Sequence, residues 1–245
     1  MAVVEFQNVS KIYSRHASRQ FFHRYLWERW RRRKEQFCAL RNVSFALEHG
    51  ESLAVVGPNG AGKTTLLSLI CGLSFPEEGR VLVDGKVAGL LELGSGFHPD
   101  LTGVENLNVY ASLLGLSRRQ TRERFDAIVE FAGIGEFIDE PLRTYSSGMV
   151  LRLAFSVAVQ VDADIMLVDE VLAVGDQNFQ AKCFDKILAL KREGKVFICA
   201  SHVSHFIKQL CDRALWLDGG RLIRQGPVEE VLDAYQAHLK VAAHA

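Results

Sequence analysis

A nine-residue stretch at positions 57–65 has the residue types and spacing of a phosphate-binding loop, since a glycine is followed by four residues and then by Gly-Lys-Thr. Glycines let backbone N–H groups turn toward a phosphate, and the N-terminus of a following helix adds partial positive charge. Lys63 can then reach the terminal phosphates, and the Thr64 hydroxyl can ligate Mg²⁺. The residues predicted to bind the nucleotide are Gly57, Pro58, Asn59, Gly60, Ala61, Gly62, Lys63, Thr64 and Thr65.

The elements on either side of this stretch are those that the motif requires. The apolar run at 52–56 predicts a buried strand, and the run at 66–70 predicts the first turns of a buried helix. A glycine turn that happens to precede a helix is the structural alternative. The Lys-Thr pair and both flanks favour phosphate binding, so the sequence predicts a site for a nucleoside triphosphate.

Two carboxylates and a histidine follow later apolar strands. Asp169 and Glu170 come after the run at 165–168, and acid groups at the carboxyl edge of a parallel sheet face the ligand crevice. We expect this strand to end beside the phosphate-loop strand, with Asp169 holding Mg²⁺ and Glu170 activating a water on the γ-phosphate. A helix-capping acid pair is the alternative. His202 follows the apolar run at 196–200 and could contact the γ-phosphate or the attacking water, although a histidine at the end of a strand is more often structural.

Composition places the chain among ordinary globular proteins. With 245 residues, 48% hydrophobic and 24% charged, it fits one domain or two tightly packed subdomains. The five cysteines have no CxxC spacing, which predicts reduced core residues of a cytoplasmic protein rather than disulfides or metal ligands. No apolar run reaches the roughly 18–20 residues of a membrane span, and the N-terminus lacks a signal-peptide pattern. We therefore expect any membrane role to come through a partner or a surface helix.

Apolar strands that alternate with helices predict an α/β fold with a mainly parallel core sheet. Antiparallel strands are expected near the N-terminus, and residues 80–83 and 86–91 are predicted to form a hairpin about Asp84-Gly85. A second hairpin is expected around Asp218-Gly219-Gly220, and Ser117 is expected to cap a helix. We expect a single domain over 1–245. Helices are predicted at 103–114, 118–131, 149–160, 178–192 and 228–239, with a helical subdomain at about 100–160 and a C-terminal helix within 225–245.

Five motifs occur in the order found in ATP-binding-cassette (ABC) ATPases, and the chain resembles this family over essentially its whole length. They are the phosphate loop, Tyr145-Ser-Ser-Gly-Met149, the 165–170 strand with its acid pair, Val174-Gly-Asp176 and Ser201-His202. The resemblance implies an ABC-type P-loop NTPase that binds ATP and Mg²⁺. It also implies a head-to-tail homodimer, in which each ATP lies between the phosphate loop of one protomer and the signature motif of the other.

The resemblance also implies roles for further residues. In the signature motif of Ser146, Ser147 and Gly148, the first and last would contact the γ-phosphate across the dimer interface. Asp176 would fill the D-loop position, and Tyr13 would stack on adenine. A core position is the alternative for Tyr13.

Departures from the common family pattern narrow the resemblance. The signature reads Tyr-Ser-Ser-Gly-Met instead of Leu-Ser-Gly-Gly-Gln, and the D-loop reads Ala-Val-Gly-Asp. The loop at 90–103 lacks the usual Mg²⁺-contacting glutamine, and Glu92 or Leu93 falls at about its place. Together these motifs resemble the ATPase subunits of bacterial surface-polysaccharide exporters of the O-antigen and teichoic-acid type. Such subunits work at the cytoplasmic face of the inner membrane, where a separate permease moves a lipid-linked polymer.

This narrower resemblance implies where the partners are met. We expect the permease to dock through the loop at 93–100, with Leu93 and Phe97 among its contacts. Some exporters of this type carry a C-terminal carbohydrate-binding domain, and the chain stops at Ala245, soon after the last predicted helix. We therefore expect recognition of the polymer to lie in the permease, in this short chain or in another protein.

The segment 14–36 is basic and rich in aromatic residues. Between positions 15 and 34 it has eight basic residues and one acidic residue, a net charge of +7 in a chain whose total is zero. Phe22, Leu26 and Trp30 recur at four-residue spacing, as on one face of an interfacial helix. A solvated charge run is the alternative. The expected contacts with the membrane, the permease or the substrate pyrophosphate come from residues 25–34, above all Tyr25, Arg29, Trp30 and Arg31.

Three functions are compatible with these motifs. The first is the ATP-driven motor of a polysaccharide exporter. The second is a non-transport ABC protein that binds nucleic acid through segment 14–36, although such proteins usually have two fused cassettes or a long coiled coil. The third is an importer ATPase, which the signature motif and the inserted segment disfavour.

Overall fold

The computed structural model describes residues 2–14, 36–90, 93–169, 175–200 and 204–242. Two short 3₁₀ turns, Gly135–Phe137 and Leu142–Thr144, lie between the third and fourth helices. In chain order the strands and helices are β1 (Ala2–Ser14), β2 (Gln36–Glu48), β3 (Leu53–Val56), α1 (Lys63–Ile70), β4 (Glu78–Val83), β5 (Val87–Leu90), α2 (Gly103–Leu113), α3 (Arg118–Ala132), α4 (Ser147–Ala158), β6 (Ile165–Asp169), α5 (Gln177–Arg192), β7 (Val196–Ala200), α6 (Ser204–Leu210), β8 (Arg213–Asp218), β9 (Arg221–Pro227) and α7 (Val228–Ala242).

Among the described residues, six strands form the core sheet in the order β5-β6-β7-β3-β8-β9. The first five are parallel, and β9 closes the edge antiparallel to β8 through the predicted hairpin. Every residue of β3 and β7 is buried. Helices or strands cover both faces of this sheet, which explains why its central strands are continuous apolar runs.

A second sheet lies over one face of the core sheet. Its described strands have the order β2-β1-β4 and are antiparallel. The pairing of β1 with β2 ends at Ser14 opposite Gln36, so the two ends of the basic segment come together at the end of this hairpin. Residues 15–35 lie outside the described residues, and with them the predictions for Tyr25, Arg29, Trp30 and Arg31.

The predicted hairpin at 80–91 is wrong. β4 pairs with β1 in the antiparallel sheet, whereas β5 pairs with β6 in the parallel one. The turn at Asp84-Gly85 exists, but the backbone N–H of Lys86 donates to the Asp164 carboxylate at 2.8 Å and takes the chain to the edge of the core sheet. Ala88 and Leu90 are buried there, so burial rather than the turn decides the partner of β5.

The apolar cores lie on both faces of the core sheet and within the helical subdomain. One face, with Leu53 and Val55, packs against α1 and the antiparallel sheet. The other face, with Ala54 and Val56, packs against α5, α6 and α7. A third cluster holds α2, α3 and α4 together and includes Tyr145. The helical subdomain is therefore present where it was predicted.

Helix starts follow the expected capping chemistry. Ser117 caps α3, as predicted, in a capping box with Gln120. Thr102 and Glu105 form a second box at the start of α2. The five predicted helices agree with the observed ones within about two residues at each end, except that α7 continues three residues further, to Ala242.

The cysteines are all free thiols, as predicted. Cys183, Cys199 and Cys211 are buried, while Cys38 and Cys71 are half-buried. Burial raises the pKa of the Cys183 thiol to about 12, so this group stays protonated at neutral pH.

Candidate functional site

The phosphate loop connects the buried end of β3 to the first turn of α1. Gly57 and Gly62 have φ values of 148° and 104°, in the region that favours glycine. A Cβ on Gly57 would collide with the carbonyl oxygen of Leu217, and one on Gly62 would lie 2.5 Å from that of Ala39. On one side the loop packs closely against Leu217 and Ala39. Its other side is open to a ligand, because the exposed residues are Pro58, Asn59, Gly60 and Thr64.

The Lys63 side chain turns back over this loop. Its Nζ donates to the carbonyl oxygens of Gly57 at 2.8 Å and Pro58 at 3.2 Å. The ammonium therefore lies above the backbone that a phosphate would approach. The predicted reach of Lys63 toward terminal phosphates stays a prediction.

Two segments distant in sequence support the loop. The backbone N–H of Gly220, in the β8–β9 turn, donates to the Ala61 carbonyl at 3.2 Å. The Gly220 carbonyl accepts from Arg41 N–H at 2.7 Å, and a Cβ on Gly220 would lie 2.6 Å from the Ala39 oxygen. The sequence predicted only a hairpin turn at Gly219-Gly220. Its contact with the loop depends on the pairing of β3 with β8, which no local pattern reveals.

The predicted magnesium ligand Asp169 is the last residue of β6. Its backbone pairs with Ala200 of β7, which in turn pairs with Val55 of β3. The expectation that β6 lies directly beside the phosphate-loop strand is wrong, because β7 lies between them. Two strand spacings put the Asp169 backbone about 10 Å from β3, with Ala200 of β7 between them. Glu170 and His202 lie outside the described residues.

The signature residues begin helix α4. The Ser146 hydroxyl accepts from Met149 N–H at 3.2 Å and caps the helix, while Ser147 and Gly148 form its first turn. These residues line a groove of about 370 Å³ together with Met149, Leu151, Arg152, Gly175 and Asp176. The predicted signature motif and D-loop residue therefore meet at one surface.

Asp176 is held at this groove by two contacts. Its Oδ1 accepts from Phe179 N–H at 2.9 Å and caps α5, and its Oδ2 lies 3.9 Å from Arg152 Nη1. The Phe179 hydrogen bond, assisted by Arg152, lowers the pKa of the Asp176 carboxyl. The groove therefore carries a carboxylate beside the signature serine.

Arg152 is a site residue that the sequence interpretation missed. Its guanidinium carbon lies 4.8 Å from the ring centroid of Phe179, so the cation stacks on this ring. Phe179 belongs to α5, the helix that Asp176 caps. The signal was available, since Arg152 is the one charged residue within α4. Among the residues that the structure describes, those lining the groove include none from the phosphate loop.

Tyr13 lies near the end of β1 and is 40% exposed. The alternative interpretation as a core residue is therefore wrong. Its neighbour on the paired strand is Phe37, which is 47% exposed. The tyrosine lies on the central strand of the antiparallel sheet, beyond Ser10, the last residue of β1 that pairs with β4.

The predicted docking loop at 93–100 is fastened to the helical subdomain. Leu93 and Phe97 are half-buried, and the Phe97 ring lies edge-on to Tyr110 with centroids 5.0 Å apart. The exposed part consists of Ser95, Gly96, His98, Pro99 and Asp100. On α2, Leu113 is 65% exposed, and its side chain lies against Gly96.

Asn106 organises this loop. It is fully buried, and its amide donates to the carbonyl oxygens of His98, Leu101 and Thr102 at 2.9–3.0 Å. Its side-chain oxygen accepts from His98 N–H at 2.7 Å. One side chain therefore contacts four backbone groups of the turn, with its two N–H donors shared among three carbonyl oxygens. Sequence analysis did not assign this role.

Within the described ranges, no helix combines the length and the apolar character needed to cross a membrane.

Comparison with known proteins gives one matching family model and several similar export ATP-binding proteins. The family model described as ABC transporter matches residues 40–173. An O-antigen export system ATP-binding protein RfbB of Klebsiella pneumoniae is 47% identical over 201 residues, which are 82% of this chain and 82% of that protein. The teichoic acids export ATP-binding protein TagH of Bacillus anthracis is 40% identical over 206 residues, 84% of this chain but only 37% of that protein.

Solved structures of ATP-binding cassettes have the same fold as this chain. A dimeric ATP-binding cassette in a post-hydrolysis state, bound to ADP and Pi, superposes with a TM-score of 0.71 at 22% identity, covering 92% of this chain and 98% of that one. The expected fold class is confirmed, and none of these matches supports the nucleic-acid alternative. The family motifs, the cassette fold and the match over 40–173 together show that the chain belongs to the ABC transporter family.

Proposed function

We propose that this chain is the ATP-hydrolysing motor of an exporter that moves a lipid-linked surface polysaccharide across the inner membrane through a separate permease. The observation that carries the proposal is the coexistence of an exposed phosphate loop and a signature groove on one chain that is 47% identical to an O-antigen export system ATP-binding protein. Residues 1–245 act as a single nucleotide-binding domain.

Two copies of the chain make one ATP site. The phosphate loop supplies Lys63 and the N-terminus of α1, while the groove supplies Ser146, Gly148 and Asp176. The lining of the groove includes no described phosphate-loop residue, which supports a head-to-tail homodimer in which each partner completes the other's site. Tyr13 stacks on the adenine ring.

Hydrolysis needs a metal ion and a base. Thr64 and Asp169 offer one hydroxyl and one carboxylate oxygen to Mg²⁺, and phosphate oxygens and water suit the remaining positions of this hard cation. Among the described residues no cluster of acidic, histidine or cysteine side chains forms a separate metal site. Glu170 accepts a proton from the attacking water. The water oxygen bonds to the γ-phosphorus as the bond between that phosphorus and ADP breaks, while His202 contacts the γ-phosphate.

The permease docks at the loop 93–100. The loop is rigid because Asn106 holds it, and Arg143 pairs with Asp100 at 3.0 Å. The exposed Leu113 next to Gly96 adds apolar surface to this face. The predicted contributions of Leu93 and Phe97 are therefore partly indirect, through packing beneath the exposed residues. Tyr25, Arg29, Trp30 and Arg31 contribute contacts from the basic segment.

Function is tested by a cell that lacks the native chain. Such a cell should lose surface polysaccharide and accumulate the lipid-linked polymer inside, and wild-type chain should restore export. Glu170→Gln should lower ATP turnover by about 100-fold or more, trap an ATP-bound dimer and fail to restore export. Glu193→Gln, the same change at an exposed position at the end of α5, is the matched control. Normal export without the chain, or full ATP turnover by Glu170→Gln, would overturn the proposal.

A further inference from the structure

Lys11 is a nearly buried cation beside Tyr13. Its side chain is only 11% exposed, and a buried ammonium is costly unless its charge and its donors are satisfied. The Lys11 Nζ donates to the Phe75 carbonyl oxygen at 2.7 Å and to Glu77 Oε1 at 2.9 Å. These bonds use two of its three N–H donors. The Tyr13 ring centroid lies 5.1 Å from Nζ, within cation–π range.

Glu77 fixes the lysine from the other side. Its Oε2 accepts from Ile12 N–H at 2.7 Å, and its own N–H donates to the Ser10 carbonyl at 3.0 Å. Partial desolvation raises the pKa of the Glu77 carboxyl, but the hydrogen bonds from Ile12 N–H and Lys11 outweigh it and lower the pKa overall. The carboxylate is therefore ionised at neutral pH and holds Lys11 between β1 and the turn before β4.

We propose that Lys11 is a positioning residue for base recognition, because its ammonium covers one face of the Tyr13 ring and leaves the other face to the adenine. The inference rests on the proposed function, in which Tyr13 stacks on the base. Tyr13 is 40% exposed near the end of β1, beyond the last residue that pairs with β4, whereas Lys11 is anchored by two bonds. The cation thus fixes the ring before the nucleotide arrives and lowers the ordering cost of binding.

The test separates recognition of the base from recognition of the phosphates. ATP and tripolyphosphate, each with Mg²⁺, are titrated against the full-length chain. Lys11→Met should weaken ATP binding about three- to tenfold, as expected for loss of one cation–π contact. Binding of tripolyphosphate, which has no base, should not change. The KM for ATP should rise by the same factor with kcat retained.

Three further variants distinguish positioning from mere stability. Lys11→Arg keeps a cation and the pairing with Glu77, so it should retain an ATP affinity close to that of the wild type. Lys11→Gln keeps hydrogen-bonding capacity without the charge and should weaken ATP binding as Lys11→Met does; it also serves if the methionine variant does not fold. Glu77→Gln should lower the melting temperature while ATP affinity falls less than in Lys11→Met.

A double variant decides whether Lys11 acts through Tyr13. In a Tyr13→Leu chain, adding Lys11→Gln should weaken ATP binding no further. If Tyr13→Leu alone binds ATP like wild type, the stacking proposal itself is wrong. If Tyr13→Leu weakens ATP binding while Lys11→Gln does not, or if the two effects add in full, the role of Lys11 is wrong and the stacking proposal stands.

Discussion

Ser146 has two roles that one substitution can separate. Its hydroxyl caps α4 by accepting from Met149 N–H, and the same residue faces the groove proposed to receive the γ-phosphate of the partner's ATP. Aspartate and asparagine both cap helices as well as serine does. They differ in charge, so they separate folding from phosphate recognition.

We expect Ser146→Asp and Ser146→Asn to keep the wild-type melting temperature, since either side chain can cap α4. Ser146→Asp should abolish ATP-driven dimer formation and ATP turnover, because its carboxylate repels the phosphate. Ser146→Asn should retain measurable turnover. Phosphate release, light scattering with ATP and a thermal melt measure turnover, dimer formation and stability. Equal turnover in the two variants would show that position 146 does not face a phosphate.

Individual site residues are predictable from the sequence when they belong to a short local motif. The phosphate-loop glycines were predicted because their positive φ angles follow from local spacing. Gly220 was not assigned, because its contact with Ala61 joins segments far apart in the chain. Arg152 was missed although it is the one charged residue of α4, since its partner Asp176 belongs to a later segment. The exposure of Tyr13 likewise depends on long-range pairing, because the pairing with β4 ends at Ser10 and does not extend to the end of β1.

Among the elements, the loop before α2 depends on one buried amide. Asn106 makes four hydrogen bonds to the turn at 98–102 and has no exposed surface. Leucine has the same branched shape but no polar atom, so Asn106→Leu would leave buried backbone groups without partners. The face proposed for permease docking would lose its fixed shape.

We expect Asn106→Leu to lower the free energy of unfolding by about 1–3 kcal/mol and to impair export more than it impairs the basal ATPase rate of the isolated chain. Asn108→Leu is the control, because Asn108 is exposed on the same helix and donates only to the Val104 carbonyl. Urea denaturation and polysaccharide export are the measurements. Wild-type stability and export in Asn106→Leu would contradict the assigned role of this amide.

Elements are predicted from sequence better than their partners are. The helix start at Ser117 follows from capping chemistry that extends over three residues. Helix α4 begins at Ser147, two residues before the predicted start at 149. The partner of β5 does not follow from its turn, since the Asp84-Gly85 signal is the same whether the chain folds back or crosses to another sheet. The same is true of β7, whose insertion between β6 and β3 depends on contacts across the whole domain.

For the whole molecule, charge asymmetry is the remaining feature with a proposed role. The segment between β1 and β2 carries a net charge of +7 between positions 15 and 34. Anionic headgroups or a pyrophosphate would meet such a segment favourably. Its sequence predicts contact with the export machinery rather than with ATP.

Charge reversal at Arg31, Arg32 and Arg33 should therefore impair export while leaving the basal ATPase rate at the wild-type level. The control is reversal at Arg118, Arg119 and Arg122, three exposed residues of α3, which should leave export in place. Surface polysaccharide and phosphate release are the two assays. Normal export by the Arg31–33 variant would remove the segment from the mechanism.

The central claim, that each ATP site needs two copies of the chain, is tested most directly by mixing two inactive variants. Lys63→Ala lacks the phosphate-loop cation, and Ser146→Asp blocks the signature groove, so each homodimer should be inactive. A mixed dimer joins the intact loop of one variant to the intact groove of the other. ATP turnover should therefore return on mixing to well above the sum of the separate variants. Turnover that never exceeds that sum would show that one copy of the chain forms a complete site.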